Sequence, residues 1–352
     1  MVTMREVAAR AGVTKQTVSN ALNRPHLVDP RTLERIDKAI DELGFTPNLL
    51  ARGLATGRTM MVGFMLPTIS NAFYAELVES VARQLEDQGY NLVLCTTGED
   101  SDRIQKQLTI LRRRSIDGLL IAEHQVAEHL DVLERVRVPH VFCSWEGEIP
   151  EGGIAVTFDF EAAGRLAARH LHDLGHRSIA MLGQLPEHRR RLDAVRAELV
   201  DLGGELPDDL VQATGGPSAA LAYEAGVRLL QEHPEVTGIV ASHDIAALGM
   251  LEAARASGRS VPDDLSIVSI DDIQAAHQSH PPLSTVALPT QAMAREAVDR
   301  LLTVATGGTV PPEQAITTLE PMLVQRLSTR ALDTKAVDTK PVTRRSRRRS
   351  AG

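Results

Sequence analysis

Residues 3–23 read TMREVAARAGVTKQTVSNALN, and the punctuation of this stretch marks two short helices and the turn between them. Thr3 followed by Glu6 is a capping box, whose hydroxyl and carboxylate satisfy N–H groups that a helix start leaves open. Val7, Ala8 and Ala11 form a small apolar face, and Gly12 suits the tight turn that ends the helix. Thr14 caps a second helix over residues 15–22, with Val18, Ala21 and Leu22 inward and Lys15, Gln16, Ser19 and Asn20 outward. Downstream, Asp29-Pro30 supplies an N-cap and a proline at the first helical position, where the missing N–H costs nothing. Leu33, Ile36, Ile40 and Leu43 then recur at helical spacing until Gly44. Two helices joined by a glycine-containing turn, with a third closing a small core, is the helix-turn-helix layout. In that layout the start of the second helix reaches base edges in the major groove. Lys15 suits guanine O6/N7, Gln16 suits adenine N6/N7, and Asn20 offers a second amide one turn on. A plain helical hairpin with a solvated polar face would satisfy the same pattern.

Two further segments decide between these readings: FTPN at 45–48 and ARGLATGRT at 51–59. Together with residues 7–23, in this order and at this spacing, they resemble the LacI/GalR family of transcriptional regulators. The resemblance implies a homodimer whose two heads bind a pseudopalindromic operator in double-stranded DNA. It also implies a hinge over residues 48–57 that becomes helical only on DNA, with Leu54 wedged into a central minor-groove step. Such wedges trade the cost of unstacking for bent DNA that offers more contact. Gly53 lowers helix propensity beside Leu54, as suits a segment that folds on binding. Carried over residue by residue, the DNA contacts are Thr3, Thr14, Lys15, Gln16, Ser19, Asn20, Asn23, Thr32, Asn48, Arg52 and Leu54.

Charge is distributed in a way that fits this reading, although the net value of −8 over 352 residues points away from nucleic acid. Residues 1–58 carry nine Lys/Arg and six Asp/Glu, a balance of +3. Residues 59–330 carry 22 and 38, a balance of −16, and residues 331–352 carry seven and two, a balance of +5. Nucleic-acid binding depends on where the charge lies. Aromatic residues are only 3% of the chain, which disfavours single-strand recognition by base stacking. No apolar run is long enough for a membrane helix. The start lacks the apolar core of a secretory signal, so a cytoplasmic protein is expected. Cys95 and Cys143 sit in apolar runs and read as a reduced, buried pair.

From residue 60 short apolar runs alternate with amphipathic stretches. Strands are expected at 60–66, 91–95, 118–122, 140–143, 154–158, 179–182, 238–241, 266–270 and 285–288. Helices are expected at 73–88, 103–113, 160–174, 218–233 and 245–257, among others. Strands buried on both faces with helical crossovers imply a doubly wound parallel sheet, and this many strands implies two lobes. The fold class is therefore an all-α helix-turn-helix domain followed by an α/β body. The resemblance, which extends to about residue 326, implies that this body is two-lobed and periplasmic-binding-protein-like. It implies three crossings between the lobes and a ligand in the cleft. The expected domains are 1–46 (DNA binding), 47–59 (hinge), 60–330 (effector binding and dimerisation) and 331–352 (a basic, disordered tail).

Ligands in open α/β sheets sit beyond the carboxyl ends of the strands. The residues there are Asn71, Phe73 and Tyr74; then Ser144 and Trp145; then Arg191, His243, Asp244 and Asp271. The family's ligand-binding arginine falls at Arg191 and its Asn-Asp pair at His243-Asp244. An arginine and carboxylates beside aromatic faces suit the vicinal hydroxyls of a sugar or nucleoside. Each residue has a plainer reading: Phe73 and Trp145 as lobe packing, Asp244 and Asp271 as helix caps, Arg189–Arg191 as a solvated run. Three positions depart from the family: His243 replaces asparagine, Ser269-Ile270 replaces a glycine-aromatic pair, and Leu288 stands where some sugar-binding members carry a polar residue. These departures speak against a simple neutral hexose, and His243 favours an acidic or phosphorylated ligand.

No reading as an enzyme finds support. The sequence has no G-x-S-x-G elbow, Walker loop, strand-borne G-x-G-x-x-G or H-E-x-x-H. His170 and His172 point to different helix faces, so with His176 they make no metal set. Asp271 and Asp272 are adjacent and do not face each other as an acid/base pair. No cofactor is expected. The readings that remain are a ligand-responsive repressor and a constitutive DNA-binding regulator with a degenerate cleft. A solute-binding protein would need an export signal and would not carry the head.

Overall fold

The computed structural model describes residues 2–23, 27–45, 58–98, 100–113, 116–129, 132–133 and 138–332. The chain divides into two compact units, Met1–Met60 and Met61–Gly352.

In the first unit, α1 (Met4–Ala11), α2 (Lys15–Asn23) and α3 (Pro30–Leu43) close around one small core. Each helix start uses the side chain that local chemistry favours. The Glu6 carboxylate accepts from the Thr3 N–H at 2.7 Å, the Thr14 hydroxyl accepts from Thr17 N–H at 3.1 Å, and Asp29 accepts from Arg31 N–H at 3.0 Å. Gly12 and Gly44 end α1 and α3 at φ of 65° and 61°, a left-handed geometry that costs a Cβ-bearing residue energy. Val7, Ala11, Val18, Ile36, Ala39 and Phe45 form the core. Arg35 reaches from α3 to the Ala11 and Gly12 carbonyls at 2.5 and 3.2 Å, holding the turn between α1 and α2 in place. Hence α2 presents Lys15 and Gln16 to solvent while Val18 is fully buried.

The second unit contains two six-stranded sheets. In the first, β1 (Met61–Leu66), β2 (Asn91–Thr96), β3 (Gly118–Ile121), β4 (His140–Cys143) and β5 (Ala155–Phe158) are parallel, with helices α4 (Ala72–Asp87) and α5 (Ser101–Arg113) as crossovers. Helix α6 (Phe160–Asp173) leads to the second sheet: β6 (Ile179–Gly183), α7 (Arg189–Asp201), β7 (Val211–Ala213), α8 (Ala219–Glu232), β8 (Gly238–Ala241), α9 (Asp244–Ala256), β9 (Ser266–Asp271), the short α10 (Gln274–Gln278) and β10 (Ser284–Ala287). The chain then returns through α11 (Thr290–Ala305) to β11 (Ile316–Leu319), which pairs with β5 of the first sheet. Two residues later β12 (Met322–Val324) pairs antiparallel with β10 of the second. The strand orders are β11-β5-β4-β3-β1-β2 and β12-β10-β9-β8-β6-β7, with three crossings between the lobes.

Three short strands, β7, β11 and β12, are absent from the expected set. All lie at sheet edges or next to the lobe crossings, where partners are remote in sequence and burial is incomplete. Residues 189–191, which read as a charge run, open α7. The interiors are apolar: Met65, Leu108, Leu119, Ile121 and Phe142 in the first lobe, Ile179, Met181, Ile239, Val268 and Val286 in the second. Cys95 and Cys143 are both buried, and burial pushes the Cys143 thiol up to about 12. His170 bonds the Thr329 hydroxyl at 2.9 Å, and His176 bonds Thr237 at 3.0 Å and the Arg330 carbonyl at 3.2 Å. Burial lowers both imidazoles, so they act as neutral ties that hold residues 328–332 on the second lobe.

Candidate functional site

The carboxyl ends of both sheets face a solvent-open cleft. The first lobe lines it with Asn71, Phe73 and Tyr74 at the start of α4, with Glu123 and Gln125 after β3, and with Ser144 and Glu146 after β4. The second contributes Gln184, His188 and Arg191 around α7, with His243 after β8 and Asp271 at the end of β9; Phe160, at the crossing between the lobes, also lines the cleft. Seven of the nine sequence-derived site residues, Asn71, Phe73, Tyr74, Ser144, Arg191, His243 and Asp271, are thus brought together.

Asn71 is also the N-cap of α4 and accepts from Phe73 N–H at 3.0 Å. Phe73 and Tyr74 meet edge-on at 5.3 Å, and Phe73 packs on Phe158 at 6.2 Å. Burial, followed by the nearby Glu123 carboxylate, raises the Tyr74 phenol, which stays a neutral donor.

Arg191 is the centre of the arrangement. It lies on α7 of the second lobe with 5% of its surface exposed, and reaches across to the first lobe. Its Nε donates to Glu146 Oε2 at 3.1 Å, and its Nη1 donates to the Ser242 carbonyl at 2.5 Å. Nη1 also stands 3.7 Å from Asp271 Oδ1, and the guanidinium lies 4.5 Å over the Phe160 ring. Burial raises both carboxyls, and Arg191 opposes that shift in each. Gly164 on α6 sets the depth of α7: a β-carbon there would stand 2.6 Å from the Arg191 carbonyl. Ser144 and Asp271 hold φ of 52° and 122°, values rare for non-glycine residues, at the strand ends that line the cleft.

His243 is 2% exposed. Its Nδ1 lies 3.0 Å from Ser242 Oγ, and His188 Nδ1 lies 2.9 Å from that same oxygen. The two imidazoles meet edge-on at 5.2 Å. Burial, with Arg191 adding to it, pushes His243 down to about 3. His243 is therefore neutral, which removes the basis for expecting it to attract an acidic ligand. Two buried atoms at the cleft have no hydrogen-bond partner, His243 Nε2 and Glu146 Oε1.

Two expected site residues lie elsewhere. The positive φ at Ser144 breaks the extended alternation after β4, so Trp145 turns back into the first-lobe core. There it packs on Phe142 at 4.8 Å and donates Nε1–H to the Glu148 carbonyl at 3.0 Å. Glu146 takes the cleft position instead. Asp244 is fully buried inside the second lobe, where it accepts from the hydroxyls of Ser269 and Thr285 (2.8 Å) and from Ile273 N–H at 2.8 Å. Burial raises it to about 6, and it organises the end of β9 rather than lining the cleft. Glu123, Glu146, Phe160, Gln184 and His188 escaped the sequence reading. Glu123 and Phe160 also follow strands directly, so the strand-end rule would have found them; Glu146 could be placed only once the φ of Ser144 was known.

Of the DNA-contact candidates, Lys15 and Gln16 are exposed on the first turn of α2, and Gln16 Nε2 donates to Asn20 Oδ1 at 3.2 Å. Ser19 and Asn20 are half-buried on the same helix. Thr3 and Thr14 serve as caps, and the Thr32 N–H is held by Asp29 at 3.4 Å. The Asn23 side chain and residues 48, 52 and 54 lie outside the described residues, as does the tail from 333 on.

A helical head of this geometry joined to a two-lobed body defines a DNA-binding transcriptional regulator with a metabolite-binding-protein body. The family model described as bacterial regulatory proteins, lacI family, matches residues 3–48, and that of a periplasmic binding protein-like domain matches residues 168–329. The chain belongs to the LacI family. It is 31% identical over 333 residues to the ribose operon repressor of Escherichia coli, covering 93% of this chain and 99% of that protein. It is 33% identical over 342 residues to the transcriptional regulator CelR of Thermobifida fusca, covering 93% and 98%. Among solved structures, the lac repressor dimer bound to operator and an anti-inducer superposes with a TM-score of 0.79 at 27% identity, covering 94% of this chain and 99% of that one. The CelR–cellobiose complex superposes at 0.71 with 31% identity, covering 93% and 100%. Among the described residues no helix is long and apolar enough to cross a membrane.

Proposed function

We propose that the chain is a cytoplasmic, homodimeric repressor whose operator affinity is set by a small polyhydroxylated metabolite in the cleft. The carrying observation is Arg191, a buried second-lobe cation that meets a first-lobe carboxylate at the cleft floor. A ligand seated there touches both lobes at once, so it favours one lobe arrangement over the other. Only such a difference in affinity shifts an equilibrium. The relatives named for ribose and cellobiose support a carbohydrate class. In this reading residues 1–46 read the operator through Lys15, Gln16, Ser19 and Asn20, and residues 47–59 form the hinge carrying Asn48, Arg52 and Leu54. Residues 60–330 bind effector and pair the protomers. The pairing is supported by the dimeric state of the lac repressor structure. In this reading the chain has no catalytic role, in keeping with relatives that are transcriptional regulators.

Footprinting upstream of its own and neighbouring genes, repeated with candidate metabolites, tests this. A protected pseudopalindrome whose occupancy shifts with one metabolite is the expected result. An operator bound identically with every metabolite would favour the constitutive regulator.

A further inference from the structure

Two residues that line the cleft, one from each lobe, each carry a buried polar atom without a hydrogen-bond partner: Glu146 Oε1 and His243 Nε2. Both residues are more than nine-tenths buried, so neither atom is left to bulk water. A buried polar atom without a partner is costly and calls for an explanation. Here both residues line the same cavity, and a ligand seated against them is the partner that fits.

The charges around them restrict that ligand. Among the described residues Arg191 is the one arginine or lysine lining the cleft, and Glu146 and Asp271 already stand at 3.1 and 3.7 Å from it. Glu123 and Glu187 add two further carboxylates to the lining. Glu123 is itself tied down, accepting from the Thr97 hydroxyl and from Gln125 N–H at 3.1 Å. An anionic ligand on Arg191 would compete with Glu146 and Asp271, and displacing either would leave a buried carboxylate unpaired, which is the expensive way to break such a pair. A hydroxyl has no such conflict: it donates to Glu146 Oε1 and leaves Arg191 paired. Another hydroxyl meets His243 Nε2, since a neutral imidazole nitrogen accepts or donates according to its tautomer.

We infer that Glu146 is the specificity-determining residue of the cleft: it receives a hydroxyl of an uncharged polyhydroxylated effector and, by occupying Arg191, excludes sugar acids and sugar phosphates. This rests on the ligand-responsive reading above. Trp145, the only tryptophan of the chain, adjoins Glu146 and supplies an intrinsic fluorescence signal.

The test titrates the full-length wild type, Glu146→Gln and Glu146→Asp by tryptophan fluorescence and calorimetry. The probes are matched sets of neutral aldoses, the corresponding aldonic and uronic acids, and sugar phosphates; circular dichroism checks that each variant is folded. The wild type and Glu146→Asp are expected to bind a neutral sugar and reject its acid. Glu146→Gln, which leaves Arg191 without its carboxylate, loses neutral-sugar affinity by about tenfold or more and gains affinity for the acid. Wild-type protein that binds the acid or phosphate as tightly as the neutral sugar overturns the assignment while leaving ligand response intact. The same holds for an Glu146→Gln variant with unchanged preference. Failure of every probe to bind the wild type, with operator affinity equally unmoved, overturns both the assignment and the ligand-responsive reading.

Discussion

Arg191→Ala perturbs the cleft at the point where the lobes meet. The substitution removes the partner of Glu146 Oε2 at 3.1 Å, the near neighbour of Asp271 at 3.7 Å and the cation over Phe160. Both carboxylates have side chains only 4% exposed beside the arginine, so bulk water solvates them poorly. Breaking a buried pair by deleting one partner costs about 3–5 kcal/mol. For a unit of this size that lowers the melting temperature by roughly 6–15 °C. The loss depends on pH. Burial already raises Glu146 and Asp271, and without the arginine that opposes this shift both rise further. A carboxyl raised in the folded state is stable there when protonated, so its penalty is absent below the unfolded value and grows as pH climbs through the folded one. Calorimetry of wild type and variant from pH 4 to 8 should therefore show a gap that widens with pH. A gap of under 1 kcal/mol, or one equal at pH 4.5 and pH 8, would refute the buried-charge account of Arg191.

Gly164→Ala pushes a β-carbon toward the Arg191 carbonyl, which should cost about 1–3 kcal/mol by overpacking and weaken effector binding in isothermal titration; unchanged affinity would show that α7 tolerates the shift. Trp145→Phe should lower stability by about 1–3 kcal/mol yet leave the effector dissociation constant unchanged, because the ring belongs to the lobe core. A large loss of ligand affinity would return Trp145 to the cleft. Gln16→Ala should relax base preference at one operator position by about 1–3 kcal/mol, read in a randomised-site selection.

The head was legible because its signals are local. Thr3 with Glu6, Asp29 with Pro30, and the two glycines each act within one turn, and all appear where the sequence places them. The central strands were legible because burial on both faces leaves unbroken apolar runs such as MVGFML and SIVSID. β11 was not legible: ITTL pairs with AVTF from more than half the body earlier, and nothing in its own composition announces that partner. In the cleft, strand-end position found Arg191 but could not tell Trp145 from Glu146. Which of two neighbours faces a ligand is decided by backbone direction at Ser144, a quantity that residue types do not encode. His243 shows a related limit: its chemistry as a residue type allows a charge, while its burial removes one.

The strand orders also set a timetable for synthesis. β5 emerges early and stands without its outer neighbour until β11 arrives, after β6 to β10 of the second sheet have been made. The cover of the first sheet is late as well, since Leu301 of α11 packs over Gly118 of β3. The lobe that leaves the ribosome first is thus sealed only near the end of synthesis. A chain stalled or cut shortly after β10 would carry an uncapped parallel edge and an uncovered apolar sheet face, the features that seed aggregation. Quality control of this protein therefore falls on its final stretch, where a few residues of β11 and β12 close both sheets together.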